Sequence, residues 1–234
     1  MKNYITCKNC NTENPHYQHI CVNCKSYLRE RVVNIDLWKT FGLLTENPVK
    51  GFKNIIFSEH KNFLSLIIII ASLKFLIDSV FISVAEGAFE PLAGFAVKYV
   101  FMAAGISIFL YLFSVVLHFI DKISGYSSRI KDHFSVLTYS FLPHVFGIVS
   151  VFIIELVVFG GNLFSKFPSP FDLKEFLAYT LLIFEFLLIV WGIFLTFMAA
   201  FAQTKRIIYS LLVSLLFNLL LFSGLYLFSF IFIK

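Results

Sequence analysis

Polar and apolar positions along this chain separate into blocks. The first 36 residues are polar, a mixed stretch follows, and five long runs are then almost continuously apolar. These runs cover 63–84, 95–120, 136–160, 176–200 and 207–233. The connections "EGAFEPLAG", "DKISGYSSRIKDH", "GNLFSKFPSPFDLKE" and "QTKR" supply breakers or charges. A helix needs about 20 residues to cross a ~30 Å hydrocarbon layer, so each run predicts one membrane-spanning helix. Strands are excluded because "LSLIIII" and "FEFLLIVWGIFLTFMAAF" lack the alternating polarity of a lipid-facing barrel. The expected fold is an all-α integral membrane protein, a bundle of five transmembrane helices that close their own backbone hydrogen bonds.

Composition agrees, with 59% hydrophobic and 14% charged residues against about 45–50% and about 25% in soluble domains. No apolar stretch with a cleavage site opens the chain, so no secretory signal is expected. Placing the amino terminus inside puts 14 of the 19 lysines and arginines on the inner side, among them Lys2 and Arg31. Only Lys98, Lys166, Lys174 and Lys234 lie outside, and Lys74 falls within the first span. The positive-inside rule therefore predicts a cytoplasmic amino terminus and an outer carboxyl terminus, at the cell inner membrane if the source is bacterial. The net charge of +5 then reflects topology and attraction to anionic lipid, and no nucleic-acid partner is expected.

All four cysteines fall in the polar head. Cys7, Cys10, Cys21 and Cys24 form C-x2-C-x10-C-x2-C, two knuckles that can each offer two thiolates to one tetrahedral ion. The cytoplasm keeps thiols reduced, so a single structural zinc is expected in place of a disulfide framework. Four thiolates close the coordination sphere, which suits folding and leaves no position for catalysis. About 30 residues cannot fold on an apolar core alone, so the metal would provide most of the stability of residues 1–30. His16 and His19 are expected at the surface. Asn11 and Lys25 follow the knuckles where a left-handed turn is needed.

Residues 31–62 link head and membrane domain. Asn47 followed by Pro48 signals a helix start, after which Val49, Phe52, Ile55 and Ile56 share one face. This stretch is expected to lie on the inner membrane surface, apolar face down, or to pack on the head or bundle. Trp38, Tyr99, Tyr126 and Tyr179 fall near interfaces, and the abundant phenylalanine reads as lipid-facing bulk.

The lead-in "WKTFGLLTENPVKGFKNIIF" with its Pro48, "YSFLP" at 139–143, and "WGIFLTFMAAFAQTKRIIYSLLVSLL" across the last two spans resemble the Yip family of Ypt- and Rab-interacting membrane proteins. The order of zinc ribbon, lead-in and five spans is similar to its prokaryotic form. The resemblance covers about residues 36–233 and implies a five-helix domain at 63–234 with a cytoplasmic amino terminus. The acidic motif that precedes the first span in eukaryotic relatives is absent, so their GTPase and vesicle roles are not implied.

Ionisable groups within the spans cost roughly 2.5–3.5 kcal/mol each at the bilayer centre by insertion scales. Lys74 and Asp78 lie on one helix face and can pair, and by residue count Lys74 and Glu185 both fall ~14–15 Å deep, at about the same level. Small or polar stripes run along the second span (Ala96, Ala103, Ser107, Ser114, His118), the fourth (Glu185, Gly192, Thr196, Ala199, Gln203) and the fifth (Ser210, Ser214, Asn218). These stripes should face protein. The third span carries His144 and Glu155, and Pro143 is expected to kink it. Lys74, Asp78, His118, His144, Glu155, Glu185 and Asn218 thus make an expected intramembrane polar network.

The sequence lacks H-E-x-x-H, G-x-S-x-G and P-loop motifs, so an enzyme is not expected. The favoured expectation is a membrane adaptor or organiser whose zinc ribbon meets a protein partner, with self-association compatible with the sequence. The alternative is a small-solute or proton-coupled transporter working through Lys74, Asp78 and Glu185.

Overall fold

The computed structural model describes residues 3–30, 32–86 and 94–233. Lys2, Arg31 and Lys234 of the charge count, and positions 87–93 of the first outer connection, lie outside the described residues. Among the described residues five helices are long and apolar enough to cross a membrane: Leu64–Ala85, Phe95–Ile123, Ile130–Phe164, Glu175–Thr204 and Ile207–Ile231. The chain is an all-α bundle with a small cysteine-bearing head, and these helices make it a multi-pass membrane protein. Four of the five spans lie within about five residues of expectation at each end. The third begins earlier because Ile130–Tyr139 is helical ahead of its apolar run.

The chain folds as two compact units, one of residues 1–64, 109–140 and 195–214, the other of 65–108, 141–194 and 215–234. The first break falls two residues past the expected boundary at 62, and the expected boundary at 30 lies inside the first unit. In the first unit, strands β1 (Tyr4–Thr6) and β2 (Glu13–Pro15) pair antiparallel, and Ile20 bridges Tyr27 in the second knuckle. Helices α1 (Leu37–Glu46) and α2 (Pro48–Phe57) then form a hairpin. Asn47 closes one and opens the other: its N–H donates to Leu43 O, and its side chain accepts from Lys50 N at 3.2 Å. Pro48 sits where a missing N–H costs nothing.

The apolar face of α2 is not laid on a membrane surface. Phe52, Ile55 and Ile56 are wholly buried in protein, because the hairpin folds them into the core of the first unit. Trp38 on α1, 83% exposed, is the aromatic that projects from this hairpin. A Cβ added at Gly51 would stand 2.9 Å from Leu44 Cδ2 and 3.3 Å from the Leu44 backbone nitrogen. Backbone cannot rotate aside, so Gly51→Val is expected to destabilise the detergent-solubilised protein by about 1–3 kcal/mol. An unchanged thermal midpoint would show that the hairpin is looser than this contact requires.

The rest of the first unit comes from α4 (Phe95–Ile123), α5 (Ile130–Tyr139), α9 (Glu175–Thr204) and α10 (Ile207–Phe228), of which it takes residues 109–140 and 195–214. Tyr139 is buried, and its hydroxyl donates to Asn62 O at 2.7 Å. Two carboxylates are also buried here. Asp132 accepts from Arg129 at 2.7 and 3.1 Å and lies 3.1 Å from Lys61 Nζ. Asp121 accepts from Tyr209 at 3.0 Å, and His133 Nε2 stands 3.0 Å from it without hydrogen-bond alignment. Lys61 also donates to the Ile55 and Ile56 carbonyls. Burial pulls this lysine down to about 8 despite Asp132 beside it.

In the second unit α3 (Leu64–Ala85) is anchored by Phe75, which meets Phe141 edge-on at 5.1 Å and His144 at 4.8 Å. Ser79 back-bonds to Phe75 O and reaches Leu225 O at 3.5 Å. The third span does not bend at Pro143 as a continuous rod. It breaks after α5 at Ser140, restarts as α6 (Leu142–Val149) with Pro143 in the first turn, and breaks again at Ser150 before α7 (Val151–Phe159). Pro143 therefore opens a helix, where its missing donor is harmless. A single 3₁₀ turn, Gly160–Phe164, ends the span, and the short α8 (Pro170–Leu173) follows.

Candidate metal centre and a buried polar cluster

The two knuckles have the same construction. Cys7 N–H donates to Thr12 O and Asn11 N–H to Cys7 O; Cys21 N–H donates to Ser26 O and Lys25 N–H to Cys21 O. Asn11 and Lys25 take left-handed φ values of 54° and 59°, as expected from their positions. The turns aim all four sulfurs inward, so that they lie within 4.8 Å of one another. Two sulfur pairs, Cys7–Cys24 and Cys10–Cys21, are 3.5 Å apart. A tetrahedron with bonds of about 2.3 Å needs S···S separations of about 3.8 Å, close to this spacing, whereas a disulfide needs about 2.05 Å. Cys7 and Cys21 are buried and all four thiols are free, so the set can hold one metal ion.

The surroundings of Cys7 and Cys10 favour the thiolate that a metal requires. Thr12, through its side chain and backbone, lowers Cys10 to about 6. The Ser26 hydroxyl, followed by the Asn9 backbone, lowers Cys7. At Cys24 Ser26 also pulls downward, but burial together with Cys10 and Cys7 outweighs it and the net shift is upward. Asn14 is buried and braces the fold, donating to Thr12 O at 2.8 Å and accepting from Val22 N at 2.9 Å. These contacts fix the ligands from outside.

The head does not hang free within its unit. Asn3 is tied to Ser127 in the connection between α4 and α5: it donates to Ser127 O at 3.0 Å and accepts from Ser127 N at 2.6 Å and Oγ at 3.0 Å. The Arg129 guanidinium stands 4.4 Å over Tyr17, and that of Arg29 lies 3.7 Å over Phe57. His16 is not a surface residue, since Phe57 packs edge-on against it and its Nε2 is buried. Burial, with Arg29 nearby, lowers His16 to about 4. Sequence spacing carries no sign of these anchors, the first of which joins residues 124 positions apart.

The structure brings together part of the expected intramembrane network. Lys74, 2% exposed, donates to Asp78 at 2.5 Å and stands 2.9 Å from Glu185 Oε2. Glu155 is also buried and close enough to feel the charges of Glu185, Lys74 and Asp78. His144 is the nearest side chain to Gly192, where an added Cβ would be 3.1 Å from its Nε2. Asn218 is buried on α10. His118 is not in this cluster and instead pairs with Ser128 at 3.2 Å.

The polar stripes of the fourth and fifth spans point inward, with Gly192, Thr196, Ala199, Gln203, Ser210 and Ser214 buried. On α4 Ser114 of the expected stripe is buried, but the rest of the buried face is one step aside from the expected small residues. Met102, Ile106, Leu110, Phe113 and Leu117 take the interior, and Ala96 is exposed. Bulky apolar side chains fill the interior better there than alanine does.

No family model, curated protein or solved structure matches the chain.

Proposed function

We propose that this protein is a non-enzymatic membrane adaptor or organiser of the Yip type, whose zinc-bound head lies on the cytoplasmic face and engages a protein partner. The observation that carries this reading is a closed set of four thiols in a head fastened to the membrane domain, with an outward apolar edge. Ile20, Val22 and Tyr27 are exposed on the second knuckle, Tyr27 at 70%. A fixed, partly apolar surface of this kind suits protein recognition. Four thiolates leave an ion no open position, which argues against catalysis.

The test is a photo-crosslinker at Val22 of the full-length protein in native membranes. A discrete protein adduct is expected, lost on Tyr27→Ala and on chelation. Crosslinks to lipid alone, or an adduct indifferent to both treatments, would refute the adaptor reading.

A second reading rests on Glu155 Oε2 and Glu185 Oε1, both buried without a hydrogen-bond partner. Lys74 pairs with two carboxylates and, among the described residues, Glu155 is buried without an ion-pair partner, which leaves acceptors open to a transported proton or small solute. Under this reading Glu185→Gln abolishes flux in proteoliposomes, whereas an adaptor tolerates the change.

A further inference from the structure

A cleft of about 620 Å³ lies in the first unit where the head, α2 and the last turn of α9 meet. Asn3, His16 and Arg29 come from the head, Lys53 and Phe57 from α2, and Lys205 from the connection between α9 and α10. Three cations line it and no carboxylate does. Arg129 and Lys61, by contrast, share Asp132 as an ion-pair partner. Among the described residues Arg29, Lys53 and Lys205 have no carboxylate partner within ion-pair distance.

The donors are positioned in advance. The Arg29 guanidinium lies 3.7 Å over the Phe57 ring, donates one N–H to His16 O, and keeps its Nε buried without a partner. The Asn3 amide is oriented by Ser127, so its Nδ2 donates to His16 Nδ1 at 3.1 Å. Neutral His16 must then carry its proton on Nε2, which also lacks a partner. The carbonyl end of α9 opposes an anion with about half a negative charge, against three full positive ones. Lys205 sits in the two-residue connection between two spans, which puts the cleft at headgroup level.

We propose that this cleft binds a phosphoryl group, carried either by the headgroup of an anionic phospholipid or by a small soluble phosphate ester. A guanidinium fork with two ammonium groups suits a tetrahedral dianion or phosphodiester, and the volume is that of a small-ligand site.

Native mass spectrometry of the full-length protein in neutral detergent tests this, with dioleoyl phosphatidylglycerol, dioleoyl phosphatidylcholine and glycerol 3-phosphate as probes. Phosphatidylglycerol or glycerol 3-phosphate is expected to bind at least tenfold more tightly than phosphatidylcholine. Displacement of the lipid by glycerol 3-phosphate identifies a soluble source, and lipid binding without displacement identifies the headgroup. The double variant Lys53→Gln, Lys205→Gln is expected to lose at least tenfold in binding at unchanged thermal midpoint. The control Lys39→Gln, Lys50→Gln removes the same charge outside the cleft and is expected to bind as before. Equal losses in both double variants, or no preference over phosphatidylcholine, would overturn the proposal.

Discussion

Under the proposed zinc-bound head, chelation or Cys7→Ser is expected to unfold residues 3–30 while the five apolar helices stay inserted. Structural zinc contributes an apparent ~10–16 kcal/mol at pH 7. A hairpin of two three-residue strands has no core to replace it. Hydrogen exchange on the full-length protein is the measurement. Amides of β1, β2 and both knuckles should lose protection by several orders of magnitude, and those of α3 and α9 should keep it. The loss should spread to Ser127 and to the end of α2, because Asn3 and Arg29 are anchored there. Protected strands after complete chelation would mean that packing on α2, and not the ion, folds the head.

Lys74→Met is expected to be the most damaging single change in the membrane region. It leaves Asp78 and Glu185 facing one another without the ammonium that bridges them at 2.5 and 2.9 Å. Removing one partner of a buried ion pair costs about 3–5 kcal/mol, mostly the desolvation of the charge left behind. Adding Glu185→Gln to Lys74→Met should recover part of that loss, since it removes an orphaned charge and keeps the side-chain volume. Reversible unfolding in mixed detergent micelles gives the three stabilities needed for the cycle. Additive effects of the two substitutions would show that the pair is not coupled, and the transporter reading would then lose its structural premise.

The same cluster shows how far residue patterns reach. Lys74 and Asp78 pair because they are four residues apart on one helix, which is a local relation. Glu185 meets Lys74 at 2.9 Å, as the matching levels from residue counting allow. His118 lies near the end of its own span by the same counting and bonds Ser128 there, because helical spacing assigns a residue to a face without saying which neighbour it meets. Pro143 was visible as an irregularity. Whether it kinks a helix or opens one depends on the break at Ser140, which no proline rule encodes.

Sequence alone determined the five spans, because hydrocarbon thickness and backbone hydrogen bonding leave a long apolar run only the helix. It also determined the four-cysteine set, because two knuckles need fixed local spacing and a residue able to turn left-handed after each. Tertiary structure decided the rest. It turned the apolar face of α2 into protein, set Arg129 and Lys61 on Asp132, tied Asn3 to Ser127, and left Arg29, Lys53 and Lys205 around one cleft. Those outcomes depend on which distant segments meet, and periodicity of 3.6 residues says which side of a helix is apolar without saying what will cover it.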